Sequence, residues 1–360
     1  MPRSARLLAL LVLLLLPLSA CGRPTAPLPP APAPTPTVVP PVQLPQDAGA
    51  HDVLMEWWYY TGHLRTPAEA REYGFEFTIF QVRRSGAPAG YLAHFAVTDV
   101  AGQTFSHQAH VVSGDPQTGF DLDVQGWRLT QPTTGGGDDS IAAAMDAGPG
   151  AEQPYSLRLH LRDLKPPALH NGGYIDYGPP GGSYYYSRTR LAVSGELRSG
   201  GDAWQSVSGQ AWMDHQWGNF VVAGGGWDWY SLQLNDNTEL MLYVLRSANG
   251  ETTGVYGTRV LADGTVRDLG PGAVVAEATG HWTSPHTRAT YPSGWRLTFA
   301  AGPPRLVVTP QVSDQELYFP GHADLTANVP VYWEGAVSLA GEDGSPLGQG
   351  YVELTGYGPG

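Results

Sequence analysis

The chain has 360 residues, a formal net charge of −13 and only 15 % charged residues. One Cys excludes an intramolecular disulfide and a Cys-rich zinc module. An acidic chain with scattered arginines excludes a phosphate-backbone binder, so no nucleic-acid partner is expected. Abundant Gly (46), Pro (32), Trp (11) and Tyr (18) disfavour a helical bundle and favour many short strands joined by turns.

Residues 1–20 carry Arg3 and Arg6, an apolar run from Leu7 to Leu16, and Leu18-Ser19-Ala20 directly before Cys21. This order predicts a secretory signal peptide, with an apolar run too short to span a bilayer comfortably. The spacing resembles the bacterial lipobox. That resemblance implies lipidation of Cys21 and an extracytoplasmic protein held at a cell-envelope membrane by lipid chains. Residues 21–46 are rich in proline and lack a periodic apolar face, which predicts an extended tether. Folded structure is expected from Asp47.

The remainder reads as all-β. Strand-like runs recur at short intervals, among them Glu56–Leu64, Glu72–Arg83, Leu92–Thr98, Ser208–His215, Trp229–Leu234 and Leu240–Arg246. Asn235-Asp236-Asn237, Asp263-Gly264 and Asp343-Gly344 are turn signals between them. The best helix candidate is Thr66–Arg71, and TTGGGDDS at Thr133–Ser140 reads as a loop. EWWYYTGHL (Glu56–Leu64) and WDWYSLQL (Trp227–Leu234) both open with tryptophans and Tyr, turn back, and lead into a strand closing on Arg. The parallel predicts two tandem β-domains, residues 47–207 and 208–360. Antiparallel sheets of about eight strands remove their edges by closing into barrels wide enough for side chains or one small ligand.

MEWWYYTGHL, AHFAVTD (Ala93–Asp99), YYYSRTRLAVSGEL (Tyr184–Leu197), GQAWMDHQWG (Gly209–Gly218), WDWYSLQL, YPSGWRL (Tyr291–Leu297), VYWEGAVSL (Val331–Leu339) and YVELTGY (Tyr351–Tyr357) resemble the carotenoid 1,2-hydratase / AttH-like family. The resemblance covers nearly all of the chain after the tether and implies two lipocalin-like domains. The family is functionally mixed. Its members include hydratases of acyclic carotenoid ends, a fungal phytoalexin hydratase, pericyclases and bacterial predicted secreted hydrolases, so fold transfers more firmly than reaction.

Adding water to a trisubstituted alkene needs a positioned acid, a surface that steadies a tertiary cation, and a base for the water. Aromatic faces suit the cation. Asp214-His215-Gln216-Trp217, followed by Trp227-Asp228-Trp229-Tyr230, supplies these residue types together. Strand parity separates Asp214 from His215, and we expect His215 and Trp217 to face inward with Asp214 at the domain interface. Glu56 is conspicuous at the head of an aromatic strand, sharing a face with Trp58 and Tyr60. The candidate catalytic residues are therefore His215, Asp214 and Glu56. The candidate ligand-binding residues are Trp58, Tyr60, Trp217, Trp227, Trp229 and Tyr230. The competing readings are a hydrogen-bonded domain junction at Asp-His-Gln-Trp and an ion pair of Glu56 with Arg83 or Arg188. Glu334, Glu353 and His94 read as structural. No Gly-x-Ser-x-Gly elbow, His-Glu-x-x-His or phosphate loop is present. His107 and His110 lie on opposite strand faces, so neither a metal nor another cofactor is expected. The expected partner is a hydrophobic small molecule (isoprenoid, carotenoid or lipid). It is either hydrated or hydrolysed by the protein, or carried by it without reaction.

Overall fold

The computed structural model describes residues 39–67, 71–132, 138–220, 225–301, 305–319 and 331–358. The signal-peptide reading, Cys21 and most of the expected tether lie outside these residues. So do residues 68–70 of the expected helix at Thr66–Arg71, whose described residues Thr66, Pro67 and Arg71 are not helical, and most of the TTGGGDDS loop, whose last residues, Asp138–Ser140, are strand.

The first sheet is built from β1 (Met55–Arg65), β2 (Glu72–Val82), β3 (Ala89–Asp99), β4 (Thr104–Gly114), β5 (Asp121–Val124) and β6 (Trp127–Thr130). It continues with β7 (Asp138–Ala144), β8 (Tyr155–Asp163), β9 (Ala168–Asp176), β10 (Gly181–Ser199) and β11 (Gln205–Phe220). Its order is β4-β3-β2-β1-β11-β10-β8-β7-β6-β5, with β9 added on β10. The second sheet opens with β12 (Gly226–Leu234), β13 (Glu239–Arg246), β14 (Thr252–Val260), β15 (Val266–Leu269) and β16 (Val274–Ala278). A separate ribbon of β17 (His281–Thr283) and β18 (Thr290–Pro292) follows. The sheet resumes with β19 (Trp295–Phe299), β20 (Leu306–Pro310), β21 (Glu316–Leu317), β22 (Tyr332–Ala340) and β23 (Pro346–Thr355). Its order is β15-β14-β13-β12-β23-β22-β20-β19-β16, with β21 on β22.

Both sheets are antiparallel throughout and curl into nearly closed barrels of lipocalin-like kind. In each, the opening strand pairs with both the second and the last, so EWWYYTGHL and WDWYSLQL occupy equivalent places. The boundary expected at 207/208 needs correction. Ser208-Gly209 lies inside β11, which pairs with β1 and β10 through to Gly218 and Phe220, so the first sheet ends only there. A strand can carry a glycine where the neighbouring backbone comes close. A Cβ at Gly209 would sit 1.8 Å from the carbonyl oxygen of His63.

Burial explains why β1 lacks a clean two-residue alternation. Its inward residues, Trp58, Tyr60 and Leu64, belong to the core of the first barrel, and outward-facing Tyr59 is covered by the second. A strand buried on both faces reads as a nearly continuous apolar run. The contact layer between barrels contains Tyr59, Tyr185, Trp212, Trp229, Met241, Ala336 and Tyr351. Polar anchors cross it: Tyr59 Oη donates to Glu334 (2.8 Å), His63 Nε2 meets the Gly350 carbonyl (2.9 Å), and Thr98 donates to Gln315 (2.7 Å). The only lysine, Lys165, and Arg190 both grip buried Glu239 of β13.

Candidate active site

The register places three rows of inward side chains beside one another. Glu56 faces Trp217, Trp58 faces His215 and Tyr60 faces Met213 across β1 and β11. Across β11 and β10, Trp217 faces Tyr184, His215 faces Tyr186 and Met213 faces Arg188. Directly opposed residues of an antiparallel pair project to one side, so these groups share the barrel interior.

Ahead of β1, a short 3-10 turn (Gln46–Ala48) and residues 49–54 form a strap across this end of the barrel. Trp58 Nε1 donates to the Ala48 carbonyl (3.1 Å), and Ala50 forms an isolated bridge with Gly119. The strap inserts His51. Its Nδ1 lies 2.6 Å from Glu56 Oε1, and its backbone N–H donates to Oε2 (2.8 Å). His215 Nε2 lies 2.9 Å from the same Oε1, and Tyr186 Oη lies 3.3 Å from His215 Nδ1. Gln81 Nε2 completes the carboxylate's partners at 3.4 Å. Aromatic rings wall the group. His51 stacks on Trp217 (4.4 Å), His215 stacks on Trp58 (4.9 Å), and Tyr184 stacks on Trp217 (5.1 Å).

Glu56 and His215 are fully buried, while the His51 side chain is 21 % exposed. Burial opposes ionisation of Glu56, yet the hydrogen bonds from His215 and His51 outweigh it and hold the carboxyl below its usual range. Burial lowers the His215 imidazole, and the pull of Glu56 only partly offsets this. At neutral pH the assignment is an ionised Glu56 accepting from two imidazole N–H groups, with Tyr186 donating to His215 Nδ1.

Asp214 is on the other face. It accepts hydrogen bonds from Tyr185 Oη (2.6 Å), Trp212 Nε1 (2.6 Å) and Ser187 Oγ, and burial raises its carboxyl to about 6. Trp229 Nε1 donates to Tyr185 Oη, which ties this acid to the second barrel. The structure thus brings Glu56, His215, Trp58, Tyr60 and Trp217 into one interior and leaves Asp214 outside it. Trp227 and Trp229 lie between the barrels, and Tyr230 is in the core of the second barrel against Trp295. The six aromatics do not form one binding surface. The strand that carries three of them belongs to a different barrel.

The partner of Glu56 is neither Arg83 nor Arg188. Arg83 reaches Asp52 and the His51 carbonyl, and Arg188 pairs with Asp139 and with Asp163 (2.5 Å) deep in the barrel. An irregularity between Arg188 and Leu191 in β10 lets Arg188 face inward while Arg190 reaches Glu239. His94 packs between the barrels and meets Tyr332 Oη at 2.6 Å. Sequence reasoning missed His51 and Gln81, and it did not place Tyr186 beside His215. His51 stands in no periodic run, and its only signal is that it precedes Glu56 by five residues.

The AttH-like family model matches residues 35–357. Among solved structures, an assigned AttH from Nitrosomonas europaea is 31 % identical with a TM-score of 0.76, covering 90 % of this chain and 98 % of its own. Kievitone hydratase from Nectria haematococca is 18 % identical with a TM-score of 0.70, covering 88 % and 93 %, a likeness of fold. A search of curated proteins returned no match. The chain belongs to the AttH-like family.

Proposed function

We propose that this protein adds water across a carbon–carbon double bond of a hydrophobic isoprenoid or lipid, as the carotenoid 1,2-hydratases that it resembles do. We also propose that it works outside the cytoplasm, held at an envelope membrane through a lipidated Cys21. The observation that carries the first reading is the chain Tyr186–His215–Glu56–His51, set inside a barrel against Trp58 and Trp217.

The residues divide the work as follows. His215, neutral at rest, takes up a proton that enters from solvent through His51; as the imidazolium paired with Glu56 it then gives a proton to one alkene carbon, and the π-electron pair forms the new C–H bond. The cation left on the neighbouring carbon faces the tryptophan rings, whose quadrupoles stabilise it. A water oxygen attacks that carbon, and its proton returns to the Glu56–His pair, so water is added and nothing else is consumed. His51, about one-fifth exposed, connects this pair to solvent. Kievitone hydratase shares the fold, which supports the reaction class by analogy.

The test is incubation of the protein with a membrane-lipid and isoprenoid extract in heavy-oxygen water, with a His215→Ala sample alongside. Label in an intact product, formed by the parent alone, is the expected result. Label in cleaved product would make it a hydrolase. An unlabelled lipid that co-purifies would leave the carrier function.

A further inference from the structure

We propose that His51, Glu56 and His215 form a coordination set for one divalent first-row transition-metal ion. Among the described residues they are the only group of three His, Cys, Asp or Glu side chains whose ligand atoms all lie within 4.8 Å of one another. Two imidazole nitrogens and one carboxylate oxygen suit zinc, iron, cobalt or nickel, whereas calcium and magnesium favour all-oxygen sites.

The spacing fits. Ligand atoms at about 2.0–2.2 Å from one ion lie about 3 Å apart at octahedral angles and about 3.4 Å apart at tetrahedral ones. His215 Nε2 and Glu56 Oε1, 2.9 Å apart, match the octahedral spacing, and His51 Nδ1, at 2.6 Å from the same oxygen, withdraws by a few tenths of an ångström for that geometry and by about 0.8 Å for a tetrahedral one. The outer atoms of the set are also engaged. Tyr186 Oη stands at His215 Nδ1 (3.3 Å) and Asp47 Oδ1 stands 3.6 Å from His51 Nε2. Glu56 Oε2 is held by the His51 N–H and by Gln81. Partners of this kind fix ring orientation and ligand basicity in metal sites. The partly exposed His51 ring gives the ion a way in from solvent.

Ion and protons exclude each other here, because the N–H hydrogens that now point at Glu56 occupy the place of the metal. An ion on His215 Nε2 therefore blocks proton delivery. This consequence alone rests on the hydratase reading; the coordination set does not.

The test titrates Co2+ into the full-length protein after chelator treatment, reading its ligand-field absorption, bound metal per chain, and turnover in parallel. The expected result is one Co2+ per chain and binding weakened at least about tenfold in His51→Ala and Glu56→Gln. An exposed control, His281→Ala, binds as the parent does. Circular dichroism verifies that each variant is folded, and His51→Ala changes only a strap residue should Glu56→Gln fail to fold. The proposal is overturned if the parent takes up no stoichiometric Co2+ or if folded His51→Ala binds it unchanged. Stoichiometric binding with turnover unaffected, or with no turnover in any sample, supports the coordination set and counts against the hydratase reading.

Discussion

Each barrel turns a tyrosine into its core from its opening strand, Tyr60 in one and Tyr230 in the other, and each sets an acid a few residues ahead of it. In the first barrel the acid is Glu56, held by two imidazoles. In the second it is Asp228, held by Arg246 (3.2 Å) and by Tyr357 Oη (2.9 Å), with the guanidinium stacked 3.9 Å over the Tyr357 ring. Burial raises the Asp228 carboxyl and Arg246 pulls it back. A guanidinium is a permanent charge, so it locks its partner, whereas an imidazole exchanges protons near neutral pH. One strand order therefore holds a fixed ion pair in one barrel and a proton-exchanging group in the other.

The largest expected effect separates the two acids. Glu56→Gln or His215→Ala lowers turnover per folded molecule by about 10²–10⁴-fold, while Asp228→Asn leaves turnover per folded molecule as it was. Steady-state kinetics on samples of matched circular dichroism decide this, and equal losses in both barrels would remove the contrast. The second effect runs the other way. Asp228→Ala strands the buried Arg246 and costs roughly 3–5 kcal/mol in denaturant unfolding.

The seam between the barrels gives the third. Burial raises Glu76 to about 8 and Glu353 to about 7, and it raises Glu334 well above the carboxylate range. Folded Glu76 and Glu353 thus hold protons that the unfolded chain, with carboxyls near 4.5, has released. Their contribution to stability is intact below about pH 4.5 and declines as pH rises, by about 1.4 kcal/mol per pH unit per group, until pH 7–8 is passed. Melting curves between pH 5 and 8 should show this slope, and Glu76→Gln should flatten it. The smallest effect belongs to Tyr186→Phe, which deletes one hydrogen bond on His215 and should cost about 0.5–1.5 kcal/mol of transition-state stabilisation, visible as a drop in kcat/KM.

Much of this was legible before folding. The aromatic segments Glu56–Leu64 and Trp227–Leu234 marked the duplication, and parity separated His215 from Asp214, because side-chain alternation is a local property of a strand. That Glu56 and His215 meet was not legible: it depends on β1 and β11 pairing across some 160 residues in one register. The inward turn of Arg188 was hidden by the irregularity in β10, which shifts parity within an unbroken strand. His51 was hidden because strap residues are placed by tertiary contacts and not by a repeat.

That strap gives the site a mechanical dimension. His51 reaches Glu56 from a segment that no extended strand pairing secures, held by the Ala50–Gly119 bridge and a few side-chain bonds, and it lies immediately downstream of the chain that the sequence reads as a leash. Because the strap carries one imidazole while barrel strands carry Glu56 and His215, displacing the strap removes His51 alone from the group and leaves the other two paired.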